Sequence, residues 1–174
     1  MIHFNPILKP ITTVNNYKIY KKPQISFCAN DTFEKSYLCD YIFNDDKVIS
    51  VKIDGFPKDY IYEKNQKQFF KPHYYIRELV SNKSGGGTAA IKCVVRKSLG
   101  NPLSQGRVIL YSTSIVPGDY SAGFYYKLGF RFVQDEKNKI MQTWFQEDEK
   151  RNYSPPIDGT MYLPKENIEH CLNY

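Results

Sequence analysis

The chain has 174 residues, 41% of them hydrophobic and 24% charged, with a formal net charge of +6. That length and composition suit one globular domain, residues 1–174, and no apolar run approaches the ~20 residues of a membrane-spanning helix. The start, MIHFNPILKPITT, lacks the basic flank and long apolar stretch of a secretion signal, so a soluble, cytoplasmic protein with no membrane partner is expected.

The charge is uneven. Residues 81–133 hold 7 basic and 1 acidic residue, against 12 and 9 in 1–80 and 5 and 8 in 134–174. A positive middle segment suits a polyphosphate ligand, although a solvated lysine surface gives the same count. Nucleic acid is disfavoured, because the basic residues are spread singly and no helix-turn-helix, zinc-finger or aromatic RNA-binding signature accompanies them. The four cysteines form no C-x-x-C pair and the three histidines no ligand spacing. Reduced, buried thiols and no metal are expected.

In chain order, Asp31 as N-cap and Glu34 completing a capping box predict a helix over DTFEKSYLCDYIF, residues 31–43. DKVISVKIDGF reads as a strand that closes at the turn Gly55 to Pro57, and YIYEK as a strand or hairpin. HYYIRELV, residues 73–80, is aromatic and β-branched and reads as a strand. A helix over 88–98, the GNP break and a strong strand RVILYST follow. Asp119 is placed to cap a short helix that ends at Gly129 as its C′ glycine. FRFVQ is then a strand, NKIMQTWFQEDEKRN a helix through Ile140, Met141, Trp144 and Phe145, and GTMYLP a last strand. The alternation in the middle predicts an α/β domain with a mixed sheet.

Between the 73–80 strand and the 88–98 helix stands SNKSGGGT, residues 81–88. Glycines that lead a strand into a helix N-terminus let an anion approach unpaired amides and the positive end of the helix dipole. The P-loop pattern fails here, since no lysine follows the glycines. Gly85, Gly87 and Ala90 do satisfy G-x-G-x-x-A. A dinucleotide fold, however, wants a carboxylate about 20 residues on, and neither Asp nor Glu occurs between Gly87 and Asp119. A tight turn with no ligand is the plain alternative.

NKSGGG, with Asn82, Gly85 and Gly87, together with FYYKLGF, Phe124 to Phe130, resembles two motifs of the GNAT superfamily of acyl-CoA-dependent N-acyltransferases. Those motifs are a Q/R-x-x-G-x-G/A loop after the fourth strand and F-Y-x-K-x-G-F on a short helix about 40 residues later. The resemblance is strongest over 70–133, and TMYLP is loosely similar to the last strand of that fold. It implies a single GNAT-like domain: a mixed central sheet with a splayed strand pair, flanked by helices. Two departures stand out: Asn82 replaces Gln or Arg, and the approach to the glycines is short.

The resemblance further implies acetyl-CoA as cosubstrate and direct transfer of the acetyl group to an amine, in a ternary complex. The Tyr125 position would supply the general acid for the leaving thiolate, with its neighbour Tyr126 still open. Glu78, the single carboxylate of its strand, would draw the amine proton or grip the amine; an ion pair with Arg77 or a lysine is the structural alternative. The backbone of Leu79, Val80 and Ser81 would pair with pantetheine. Asn82, Lys83, Ser84, Gly85, Gly86, Gly87 and Thr88 would hold the pyrophosphate. Lys92 and Arg96 are placed either to meet the outer phosphate or simply to face solvent. A non-catalytic acyl-CoA-binding or interaction protein on the same fold is the second expectation. The acceptor, a small amine or a peptide or protein, and the oligomeric state stay open.

Overall fold

The computed structural model describes residues 12–14, 17–27, 35–43, 49–64, 67–81, 84–113, 121–147 and 154–174, with side chains from 51 on apart from 60–70 and 147. Its strands are β1 (Thr12–Val14), β2 (Tyr17–Phe27), β3 (Lys35–Phe43), β4 (Ile49–Asp54), β5 (Lys58–Lys64), β6 (Lys67–Ser81), β7 (Val108–Ser112), β8 (Arg131–Phe132) and β9 (Gly159–Tyr162). The helices are α1 (Gly86–Leu99), α2 (Ser121–Lys127), α3 (Asp135–Glu147) and α4 (Ile168–Asn173), the last preceded by a 3-10 turn, Lys165–Asn167. The sheet is open and mixed, in the order β1-β2-β3-β4-β6-β7-β9-β8, with β5 pairing the first half of β6. Among the described strands only β6 and β7 run parallel to each other.

One expectation fails. Residues 35–43 are not helical; they form β3, paired antiparallel with β2 on one side and β4 on the other. The capping box of Asp31 and Glu34 lies outside the described residues. The run Tyr37, Leu38, Cys39, Tyr41, Ile42 and Phe43 is aromatic, β-branched or apolar, and β2 pairs with the backbone along its length while β4 pairs with it from Leu38 to Ile42. The expected hairpin at 60–64 is present as β5 against β6. The expected helices at 88–98 and 138–152 begin earlier, at Gly86 and Asp135, and β8 is shorter than FRFVQ suggested. Strands β1 and β2 and helix α4 were not legible.

Helix α1 is buried around most of its circumference, at Ala89, Ala90, Ile91, Cys93, Val94 and Val95. It packs on β4, β6 and β7 with one face and on α4 with another. A helix covered on two sides has an apolar stripe wider than a surface helix needs. Strand β7 reads the same way: Val108, Ile109 and Leu110 are all buried, as expected of a central parallel strand covered on both faces. Helix α2 stops at Gly129, whose φ is 96°. There Phe130 N–H donates to the Tyr125 carbonyl and Gly129 N–H to that of Tyr126, both at 3.0 Å, the paired bonds of a Schellman cap. The C′ assignment of Gly129 therefore holds, while Asp119 lies outside the described residues.

His73 sits in β6 at 1% exposure, its Nδ1–H donating to the Lys71 carbonyl at 2.6 Å. Burial, helped by the charges of Arg107 and Lys71, lowers its pKa from 6.5 to about 4. The folded state thus prefers the neutral ring, whereas the unfolded chain takes up a proton near pH 6.5. The resulting stability is full above 6.5 and is lost as the pH falls from 6.5 to about 4. At 1.36 kcal/mol per unit the loss is about 3 kcal/mol. Urea unfolding at pH 7 and pH 4.5 should show this decline, and His73→Gln should flatten it; an equal decline in the variant would contradict the assignment.

Candidate functional site

The parallel pairing of β6 with β7 is short. Tyr74, Tyr75 and Ile76 face Val108, Ile109 and Leu110, and the pairing ends there although both strands continue. The cause lies on the other edge of β6. Opposite β4, Ile53 pairs with Ile76 but Lys52 with Glu78, so Arg77 is an extra residue, a β-bulge. Before the bulge Tyr74 and Ile76 point into the core; after it Leu79 does. The phase of β6 has shifted by one residue, and the strand bends away from β7.

Arg77 turns to the buried carboxylate of Asp54, its Nε at 2.8 Å and Nη2 at 3.3 Å, with the guanidinium 4.5 Å over the Tyr75 ring. Asp54 is 1% exposed. A carboxylate buried this deeply needs such a partner, so the bulge is pinned by a charge pair on β4.

Where the strands part, a cleft of about 490 Å³ opens between them. Ile76 and Leu110 form its floor, with Glu78, Thr113, Ser121 and Tyr125 among the polar groups at its walls. The cleft lies at the carboxyl ends of two parallel strands, the usual place for a ligand crevice in an open α/β sheet.

Tyr125 is 8% exposed and lines this cleft, its ring edge-on to Phe124 at 5.0 Å and Phe130 at 5.8 Å. Burial raises its phenol to about 12. The hydroxyl makes no hydrogen bond to any described residue, which is unusual for a buried polar group and leaves it available to an occupant of the cleft. Tyr126, the other candidate, is turned away from the cleft. It packs against Phe145 at 6.0 Å, under the Arg131 guanidinium at 4.1 Å. Successive helical residues point about 100° apart, and α2 presents only the first tyrosine to the gap.

Glu78 also lines the cleft and is ion-paired with Lys52 across the β4–β6 ladder at 2.9 Å. The carboxylate is 56% exposed and Lys52 31%, so the pair is solvated and its geometry is easily exchanged for another cation. Of the two structural partners expected, the lysine is found, and Arg77 is engaged elsewhere. Sequence reading did not single out Lys52, Thr113 or Ser121. Ser121 Oγ–H donates to the Thr113 carbonyl at 3.2 Å and accepts from Ser112 Oγ–H at 2.9 Å. Lys52 and Glu78 are 26 positions apart, and no local pattern reveals their pairing.

Leu79, Val80 and Ser81 bond on one edge to Val51, Ser50 and Ile49 of β4, while no described strand covers their other edge. Ser84 and Gly85 are exposed beyond them, and Asn82 and Lys83 lie outside the described residues. Gly85 has φ 77°, a conformation that favours glycine, with open space where a Cβ would be. The first helical bond of α1 runs from Ala89 N–H to the Gly85 carbonyl at 3.0 Å. The amides of Gly86, Gly87 and Thr88 precede it, and the first turn carries no acidic residue. Gly86 and Gly87 are buried and Thr88 is half-buried, so this turn is accessible from the side of Ser84 and Gly85. A Cβ on Gly87 would lie 3.1 Å from Phe124 Cζ. The two sequence motifs are therefore in contact.

Lys92 departs from the expectation of an outward phosphate contact or a solvated face shared with Arg96. It is 7% exposed, beside Cys171 of α4. Cys93 and Cys171 are buried free thiols, each raised to about 11 by burial, which makes them poor nucleophiles. Cys28 lies outside the described residues. No described group of three or more His, Cys, Asp or Glu side chains is arranged to hold a metal ion, and no described helix is long and apolar enough to cross a membrane.

If the Tyr125 hydroxyl is buried without a partner, Tyr125→Phe removes a desolvated group and breaks no hydrogen bond. Stability should then be unchanged or rise by up to about 1 kcal/mol in thermal or urea unfolding. A loss above about 1.5 kcal/mol would show that the hydroxyl has a partner in the folded chain.

Comparison of the chain with family models, with curated proteins and with solved structures finds no match.

Proposed function

We propose that this protein is an acetyl-CoA-dependent N-acetyltransferase of GNAT type that transfers the acetyl group directly to an amine. One observation carries the reading: a cleft between two diverging parallel strands has the buried Tyr125 in its wall, with a hydroxyl that bonds to no described residue. The order of elements supports it as well. A strand, a glycine turn, a helix, a next strand and a short helix that begins the FYYKLGF motif follow one another as the resemblance implies.

In this mechanism the acyl chain of the cosubstrate lies in the cleft, and its pantetheine amides pair with the backbone of Leu79 to Ser81. The pyrophosphate rests against the turn at Ser84 to Thr88, where oriented amides and the helix dipole favour negative charge. The acceptor amine attacks the thioester carbonyl, the C–S bond breaks, and the sulfur must gain a proton as the nitrogen loses one. Held near 12, Tyr125 stays protonated at neutral pH and donates a hydrogen bond to the developing thiolate. A phenol so far above a thiol's pKa releases its proton only as the amine's proton replaces it. Glu78 grips the incoming ammonium in exchange for Lys52, or passes its proton to water.

The Lys52 pair gives a second reading its support. With Glu78 already neutralised, the cleft would serve a protein that binds acyl-CoA without turnover. Calorimetric titration with acetyl-CoA, followed by thiol release over a panel of amines, separates the two. The enzyme reading predicts binding and turnover, with Tyr125→Phe losing ~10²-fold in kcat at nearly unchanged cosubstrate affinity. Binding without turnover on any amine would favour the second reading, and no binding would overturn both.

A further inference from the structure

At the opposite end of the β6–β7 pair lies a smaller cavity of about 190 Å³. Lys71 and His73 at the start of the paired segment, Arg107 just before β7, and Lys165 and Glu166 in the turn after β9 line it. Three of these side chains are cationic and one is a carboxylate. No described carboxylate lies within ion-pair distance of Lys71, Arg107 or Lys165, since the ion pairs among the described residues are those of Lys52 and Arg77.

Arg107 is held in place without being neutralised. Its Nε donates to the Pro72 carbonyl at 3.1 Å and its Nη2 to the Leu103 carbonyl. The turn before it is fixed by the positive φ of Gln105 and Gly106, 49° and 89°, and by Arg107 N–H donating to the Ser104 carbonyl at 2.9 Å. A guanidinium fixed by neutral carbonyls at the wall of a cavity, with two further cations beside it, is preorganised for an oxyanion. We propose that this cavity is a second ligand site, separate from the β6–β7 cleft, and that it takes a compact dianionic phosphate, inorganic or the head of a small phosphate monoester.

The groups that face His73 give the site an internal reporter. Lys71 and Arg107 disfavour the protonated ring, and Asp59 and the Lys71 carbonyl favour it. Lys165 and Glu166 complete the charged lining. A bound dianion offsets the cations, so occupancy raises the His73 pKa.

Phosphate titration of the isotopically labelled full chain, followed by NMR at constant ionic strength, tests the proposal. Inorganic phosphate should give saturable shifts at Gly106, Arg107 and Lys165 and in the His73 ring, with a Kd of about 1 mM or tighter. Replacing both exposed lysines, Lys71→Gln with Lys165→Gln, should weaken binding ~10-fold or more while the fold is kept. Tighter binding of phosphoserine than of phosphate would assign the site to a monoester, and equal binding to the inorganic ion. Linear shifts no larger than those from chloride, saturable shifts confined to Gly85–Thr88, or unchanged affinity in the double variant would each overturn it.

Discussion

The extra residue at Arg77 is the feature on which the arrangement of the site depends. Strand β6 is bonded to β4 and β7 at once, and a regular strand would continue along both. Inserting Arg77 moves the core-facing set from Tyr74 and Ile76 to Leu79 and bends the strand, so pairing with β7 ends after Leu110. The Arg77–Asp54 charge pair makes this kink costly to undo, because straightening would break an ion pair to a carboxylate at 1% exposure. The same insertion places Lys52 and Glu78 directly across from each other on the solvated face.

The second constraint is the contact between the ends of α1 and α2. Gly87 is small where the Phe124 ring approaches, and the Schellman cap at Gly129 fixes the length of α2. Phe124 then sets the direction of its neighbour Tyr125, whose ring is wedged between Phe124 and Phe130. In this way a glycine in one motif makes room for the aromatic packing around a tyrosine in the other. The glycine run accordingly has two physical origins: Gly85 answers to backbone conformation, Gly87 to crowding by an aromatic ring.

What was legible in the sequence was local. The strand ahead of the glycines, the helix after them, the C′ glycine at 129 and the final strand each follow from propensity or capping within a few residues. Residues 35–43 misled because the apparent capping box of Asp31 and Glu34 is also local, while the competing signal is pairing with strands on both sides. The bulge leaves no mark in the composition of HYYIRELVS, since it is a property of register between β4 and β6. The choice between Tyr125 and Tyr126 needed the direction of α2, and the cationic cavity joins residues from three separate stretches of chain. His73, Arg107 and Lys165 form no pattern in one dimension.

The central claim is that the segment of β6 beyond the bulge, together with the glycine turn, receives an acyl-CoA. Amide hydrogen exchange measured with and without saturating acetyl-CoA tests it most directly. The account predicts slower exchange at Arg77 to Ser81 and at Gly85 to Thr88, with little change at the far end of β6. Unchanged exchange in both segments, or protection confined to other parts of the chain, would contradict it.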